Sequence, residues 1–285
     1  MLLLGLAACV LPLAARAEAS DLQARYAQLR DTLKPDANGN TLVIESSEQP
    51  DRLTGDVLAI LDHPFAQVKA GLKSPAQWCD VLILPFNTKY CHAVDGPDGP
   101  ALLLRIGRKF DQPLDRTYKL LLSWRNVATS PDFFESRMEA GDGPMGTRDY
   151  RIRLSAMPIG DNRTFVRLTY SYGFGLSGRL AMQAYLGTVG AGKVGFSVQG
   201  RDAQGQPEYI RGVRGAIERT AMRYYLAIDA YVDSLKAPPG QQVERRIQGW
   251  FAAADRYPRQ LREMDQPTYV AMKRGEVERQ QKLIE

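Results

Sequence analysis

The sequence predicts an α+β fold in which a curved antiparallel sheet wraps around a long C-terminal helix, followed by extra C-terminal helices. Apolar and polar residues alternate with period two in five runs, which is typical of half-buried antiparallel strands. These runs are residues 102–108, 118–125, 134–139, 150–157 and 165–172. After them comes the longest helical pattern in the chain, whose apolar side chains form one stripe. A sheet that packs one face on this helix would bury both apolar patterns.

Shorter elements precede the five strands. A helix is predicted over 20–33, where apolar residues recur at helical spacing after a Ser-Asp start. Strands are predicted over 41–45 and 54–61. Within 65–82 the helical spacing is interrupted by a Ser-Pro pair, so two short helices joined by a turn are expected there.

The C-terminal part of the chain is predicted to be mainly helical. A helix over 177–187 and a short strand over 193–199 come before the long helix over 213–235. A Pro-Pro-Gly sequence then ends that helix. Two further helices are expected over 243–254 and 268–283, the second of them rich in charge. We therefore expect one domain over 18–237 and a helical extension over 238–285, packed on or beside it.

The composition and the first residues indicate an exported globular protein. Of 285 residues, 44% are hydrophobic and 24% charged, which excludes collagen-like, disordered and coiled-coil classes. Lys and Arg exceed Asp and Glu by 37 to 32, too small a surplus to indicate nucleic-acid binding. Residues 1–17 are apolar and end in Ala-Arg-Ala, which predicts a signal peptide cleaved after Ala17 and a bacterial periplasmic location. Lipid attachment at Cys9 is the alternative, because the residues before it resemble a lipobox.

The remaining cysteines predict a disulfide rather than a metal site. Removal of the signal peptide leaves Cys79 and Cys91 in a chain expected in an oxidising compartment. Two histidines and no CxxC or HExxH motif are too few ligands for zinc, so no metal is expected. The glycines and lysine of 187–193 match a phosphate-binding loop, but Val194 stands where that loop needs Ser or Thr. No cofactor is therefore predicted.

Two stretches carry a resemblance to a known superfamily. Residues 56–78 (DVLAILDHPFAQVKAGLKSPAQW) give a strand, a helix pair and a Trp, and residues 143–172 (GPMGTRDYRIRLSAMPIGDNRTFVRLTYSY) give a Gly-rich turn and two strands with a tight polar turn between them. With the last long helix, they resemble the helix-grip fold of START-like and polyketide-cyclase-like proteins. The resemblance implies that a hydrophobic molecule binds in a cleft between sheet and helix.

The aromatic residues facing this cleft are the candidate ligand-binding residues. They offer apolar rings together with hydroxyls that orient a polar head. The predicted lining is Trp124, Tyr150, Leu168, Tyr170, Tyr172, Ile217, Tyr224, Tyr225 and Ile228. The alternative for each aromatic residue is that it fills the core. No catalytic residue is predicted.

The sequence therefore predicts an exported protein that holds a lipid or another hydrophobic ligand without changing it. The first alternative is a polyketide-cyclase or dehydrase-like enzyme in which Asp62, His63 or a tyrosine moves protons. The second is a cavity-free adaptor for another envelope protein. Trp250 and Phe251, in an arginine-rich segment, leave peripheral membrane contact as an alternative to a solvated helix.

Overall fold

The computed structural model describes residues 13–36, 38–188, 190 and 192–284. Most of the predicted signal peptide, with Cys9, lies outside these residues. The helices are α1 (Leu13–Leu29), α2 (Phe65–Gly71), α3 (Pro75–Leu82), α4 (Leu176–Gly187), α5 (Gly212–Ser234), α6 (Pro239–Asp255), α7 (Pro258–Leu261) and α8 (Gln266–Ile284). The strands are β1 (Thr41–Gln49), β2 (Arg52–Leu61), β3 (Thr88–Gly96), β4 (Gly99–Ile106), β5 (Tyr118–Thr129), β6 (Phe134–Asp142), β7 (Thr147–Pro158), β8 (Thr164–Phe174), β9 (Val198–Arg201) and β10 (Pro207–Tyr209).

Eight of these strands form one antiparallel sheet, and the predicted α+β helix-grip fold is confirmed. The strand order is β1-β2-β8-β7-β6-β5-β4-β3, and every neighbouring pair is antiparallel. The connection through α2 and α3 carries the chain from β2 to the far edge of the sheet. From there β3 to β8 return as a meander, so β8 ends beside β2.

The sheet packs α5 on one face, which we call the inner face. Its core side chains include Val57 and Leu168 from the sheet and Ile217 and Ile228 from α5, all at most 1% exposed. Alternation along each strand sends one set of side chains to this face, and the 3.6-residue period of α5 supplies the matching stripe. The predicted helix over 213–235 is therefore the helix around which the sheet wraps.

The opposite, outer face of the sheet is partly covered by α1. Leu22 of α1 packs with Leu58 and Phe165 of the sheet. Beyond this small cluster the outer face is charged, and the Glu18 carboxylate lies within 3.0 Å of both Arg137 and Arg153. The sequence predicts an amphipathic helix in this region, but it does not indicate that the helix covers this face of the sheet.

Two predictions for single strands need correction. No strand was predicted over Thr88–Gly96, yet these residues form the edge strand β3. The predicted disulfide between Cys79 and Cys91 is present, and it joins α3 to this strand. The predicted strand over 193–199 is also displaced, because the extended residues form the β9–β10 hairpin farther along the chain.

The C-terminal extension packs on the domain through its apolar residues. Trp250 and Phe251 of α6 are 0% and 6% exposed, and the Trp250 indole donates to the carbonyl of Arg223 at 3.0 Å. These two side chains therefore belong to the core and do not form an exposed face of α6. Within the described residues, none of the helices has the length and apolarity needed to cross a bilayer.

Candidate functional site

Four tyrosines meet between the sheet and α5, and we call Tyr150, Tyr170, Tyr172 and Tyr224 the tyrosine cluster. Tyr170 and Tyr172 occupy alternate positions on β8, which places both on the inner face, and Tyr224 comes from α5. The Tyr150 ring stacks on that of Tyr172 at 5.5 Å between centroids, and Tyr224 lies 5.3 Å from Tyr170. Such contacts add stability beyond that of buried area and hold the rings in place.

Three hydroxyls of this cluster are free to bond a ligand. Tyr150 and Thr147 share a hydrogen bond of 2.7 Å, whereas the hydroxyls of Tyr170, Tyr172 and Tyr224 have no partner among the described residues. These three unpaired oxygens are not among the fully enclosed polar atoms of the described residues, so each is accessible from open space. Burial raises the pKa of all three phenols above the ordinary value of 10.0. They therefore stay protonated near neutral pH and can donate hydrogen bonds.

A cavity of about 590 Å³ opens on the Tyr172 side of the cluster, and we call it the large cavity. Its volume falls in the range of ordinary small-molecule sites. Its apolar wall comes from β2, β8, α4 and α5. Its polar lining includes Glu48 and Arg179. The apolar wall is formed by Leu53, Tyr172, Phe174, Met182 and Val213.

A second space of about 70 Å³, the small cavity, lies on the other side of the cluster. Tyr150, Tyr170 and Tyr224 line it, together with apolar residues of β4 and β5. At this size it holds a few water molecules rather than a drug-sized ligand. The tyrosine cluster therefore contributes to both cavities, with Tyr172 on the large one and Tyr150, Tyr170 and Tyr224 on the small one.

The predicted lining residues divide into two groups. Four of them form the tyrosine cluster and border the two cavities. The other five border neither cavity: Trp124, Leu168, Ile217, Tyr225 and Ile228. Leu168, Ile217, Tyr225 and Ile228 are at most 2% exposed within the core, so they fill the cleft instead of leaving it open. Trp124 is partly buried, and its indole nitrogen is enclosed without a partner.

Of the residues of the enzyme alternative, the tyrosines border the two cavities, whereas Asp62 and His63 do not. The ring of His63 is buried, and its Nε2 is 3.1 Å from the Asp229 carboxylate, while Asp62 is exposed. None of these three residues lines the large or the small cavity. In the part of the chain that the structure describes, His, Cys, Asp and Glu nowhere form a group of three that could hold a metal ion.

Sequence reasoning missed the wall that α4 contributes. Met182 and Arg179 belong to a helix that was predicted, but its position against the sheet was not. The Arg179 guanidinium carbon lies 5.9 Å from the Phe174 ring centre, which ties α4 to the end of β8. Nothing in the local pattern of 176–187 could have indicated this contact, because it is made only when the sheet has formed.

Comparison with known proteins finds similar folds among solved structures. A Streptomyces aromatase/cyclase aligns at 11% identity over 66% of this chain and 98% of its own, with a TM-score of 0.40. Human StAR-related lipid transfer protein 5 aligns at 7% identity over 61% and 89%, with a TM-score of 0.33. A START superfamily protein from Mycobacterium smegmatis aligns at 12% identity over 47% and 88%, with a TM-score of 0.32. No family model and no curated protein matches the sequence.

TM-scores below 0.5 carry no inference about what this protein binds. The fold itself is defined by the strand order, by the helix pair between β2 and β3, and by α5 across the inner face. The chain has the helix-grip fold of START-like and polyketide-cyclase-like proteins.

Proposed function

We propose that the protein binds a hydrophobic ligand in the large cavity, with the hydroxyl of Tyr172 bonded to a polar group of that ligand. The observation that carries this proposal is the combination of about 590 Å³ of space, an apolar wall and the unpartnered hydroxyl of Tyr172 on that wall. An apolar wall favours an apolar body. Protonated phenols favour a hydrogen-bond acceptor such as a carbonyl or carboxylate oxygen.

The ligand would be identified by native mass spectrometry of mature protein purified from its own host, followed by organic extraction. We expect an acyl or polycyclic molecule at one copy per chain. A chemically altered molecule released after incubation would instead favour the cyclase-like enzyme. Protein that carries no such molecule, and whose melting temperature no hydrophobic compound shifts, would contradict the proposal and favour the adaptor.

Two substitutions locate the ligand. Tyr172→Phe removes one hydroxyl and keeps the ring, so we expect affinity to fall about three- to tenfold, the value of one hydrogen bond. Met182→Trp fills the cavity and should abolish binding, whereas Val198→Trp, at an exposed position on β9, should leave it unchanged. A charge at Leu168 would not be a clean test, because that side chain is 0% exposed in the core and the variant would unfold.

We also propose that the protein acts after export, in the periplasm of a bacterium. The Cys79–Cys91 disulfide supports an oxidising compartment. A mature chain beginning at Glu18 would retain the contacts of that carboxylate with Arg137 and Arg153. Sequencing of the mature N-terminus tests this: a start at Glu18 is expected, while a lipid-modified Cys9 or a retained Met1 would contradict it.

A further inference from the structure

Three cationic side chains from separate segments of the chain surround one carboxylate, that of Glu263. The Lys109 ammonium and the Arg223 guanidinium lie 2.7 Å and 2.6 Å from the same carboxylate oxygen. The Lys193 ammonium lies 3.6 Å from the other oxygen and donates to the carbonyl of Arg262 at 2.6 Å. We call Lys109, Lys193, Arg223 and Glu263 the cationic cluster. Its net charge is +2, because three positive groups share one negative group.

The carboxylates nearest to this cluster along the chain have partners of their own. Glu218 of α5 accepts hydrogen bonds from two backbone amides. Asp111 lies 3.4 Å from Arg279, and Asp265 accepts a hydrogen bond from a backbone amide at the start of α8. Residues 187–197 contain no acidic residue at all. The excess positive charge of the cationic cluster is therefore not cancelled by these neighbours.

The cationic cluster is partly buried, which makes its excess charge unfavourable. The side chains of Arg223 and Glu263 are 10% and 9% exposed, and those of Lys109 and Lys193 are 22% and 23% exposed. Burial lowers the pKa of Lys193, and although Glu263 opposes this shift, the charges of Lys109 and Arg223 lower the pKa further. Like charges repel more strongly at such a site than in water. A second anion beside the cluster would relieve this repulsion.

The glycine-rich turn before Lys193 leaves room for an anion to approach. Residues 187–193 match the glycines and lysine of a phosphate-binding loop, although Val194 replaces the hydroxyl that such a loop uses to hold a metal ion. The backbone amide of Lys193 donates to the carbonyl of Gly190 at 3.1 Å, which closes the turn. A Cβ at Gly192 would meet no atom within 4 Å, so the space next to Lys193 is open.

We propose that the cationic cluster binds a phosphate group, which approaches beside Gly192 and is held by Lys109, Lys193 and Arg223. Phosphate is favoured over a carboxylate because its charge of about −1.5 to −2 near neutral pH matches the excess charge of the cluster. The group belongs either to free phosphate or to a larger phosphate monoester. None of the four cluster residues lines the large or the small cavity, so this site is independent of the proposed function.

Isothermal titration calorimetry of the mature protein with inorganic phosphate, at an ionic strength held constant with chloride, tests this site. We expect one phosphate per chain. Lys193→Ala should raise the Kd at least about tenfold, the effect of losing one hydrogen bond to a charged group. Gly192→Asp keeps every member of the cluster but adds a carboxylate beside it, so it should also weaken binding. The matched control is Lys34→Ala, which removes an exposed lysine and should bind as the parent does.

Glycerol 3-phosphate distinguishes the two sources of the phosphate group. Tighter binding than that of inorganic phosphate would assign the site to a larger monoester, and equal or weaker binding would assign it to free phosphate. Circular dichroism checks that each variant is folded, and Gly192→Asp decides the matter if Lys193→Ala is not. The proposal would be overturned if the parent bound no phosphate, if a folded Lys193→Ala or Gly192→Asp variant kept the affinity of the parent, or if Lys34→Ala lost as much.

Discussion

Replacing Glu276 by glutamine should destabilise the protein by about 3 to 5 kcal/mol, because two buried ammonium groups share this carboxylate. Lys89 of β3 donates to one carboxylate oxygen at 2.9 Å, and Lys273 of α8 donates to the other at 2.7 Å. All three side chains are 0% exposed. The lysines also donate to backbone carbonyls of residues 85–88, so this cluster attaches α8 to the edge of the sheet.

The magnitude follows from the cost of neutralising the lysines. Burial lowers the pKa of Lys273 to about 8, so at pH 7 loss of its proton costs only about 1 kcal/mol more. Burial also lowers the pKa of Lys89, although its ion pair with Glu276 opposes that shift. Without the carboxylate, Lys89 must either stay charged in the core or lose its proton. We therefore assign the remaining 2 to 4 kcal/mol, approximately, to Lys89.

Urea unfolding at pH 7 of the parent and of Glu276→Gln measures this loss. The control replaces Lys89, Lys273 and Glu276 together by methionine, which removes every charge while keeping similar volume. It should be more stable than Glu276→Gln, because no charge is then left in the core without a partner. The reasoning would be refuted if Glu276→Gln unfolded within about 1 kcal/mol of the parent, or if the triple variant were no more stable than the single one.

Three further predictions follow from the same structure. The pKa of Lys273 is lowered from 10.5 to about 8, so between these pH values the unfolded chain binds more protons than the folded one. The free energy of unfolding should therefore rise by about 1 to 2 kcal/mol from about pH 7.5 to about pH 9.5. Urea unfolding at several pH values should show that this rise is smaller in Lys273→Met. Replacing both cysteines of the disulfide by alanine should lower the unfolding free energy by about 2 to 4 kcal/mol, and an unchanged urea midpoint would contradict it. A Cβ at Gly143 would overlap the Tyr150 ring. Gly143→Ala should therefore change the near-ultraviolet circular dichroism of the tyrosine cluster and lower the free energy of unfolding by about 1 to 3 kcal/mol. Gly141→Ala is the control, because the space around Gly141 is open, and it should change neither quantity.

The fold could be predicted for those elements in which the local sequence pattern alone shows which side chains are buried. The alternating runs of β5 to β8 and the apolar stripe of α5 need no knowledge of the rest of the chain. β3 escaped prediction because Thr88, Lys89, Tyr90 and Cys91 are all buried, so no alternation marks it. One side of this strand is covered by α8, whose Lys273 and Glu276 the sequence indicates only as part of a charged helix. Burial of α8 depends on tertiary packing, so the local sequence predicted neither β3 nor the contact of α8 with it.

The site could be predicted less completely than the fold, for a reason that lies in β2. The sequence places Leu168, Ile217 and the tyrosines in the same cleft, but it does not say how closely α5 approaches the sheet. Gly55 decides this, because a Cβ there would lie only 3.2 Å from Ile217 Cγ1 and 3.4 Å from the Ala221 Cβ. The absence of a side chain at Gly55 lets α5 touch the sheet at this point, which fills the middle of the cleft.

Space then remains only where the helix and the sheet diverge from that contact. Tyr170, paired with Gly55 across the strands, borders the small cavity, and Leu53 and Tyr172, paired one step along, border the large cavity. The sheet therefore packs directly on α5 at Gly55, whereas Tyr170 and Tyr172 beside it border open space. The local sequence pattern does not distinguish a tyrosine that packs in the core from one that borders a cavity, because the difference depends on how closely the helix approaches the sheet. We infer that the open space between sheet and helix is set by the position of a glycine as much as by the aromatic residues around it.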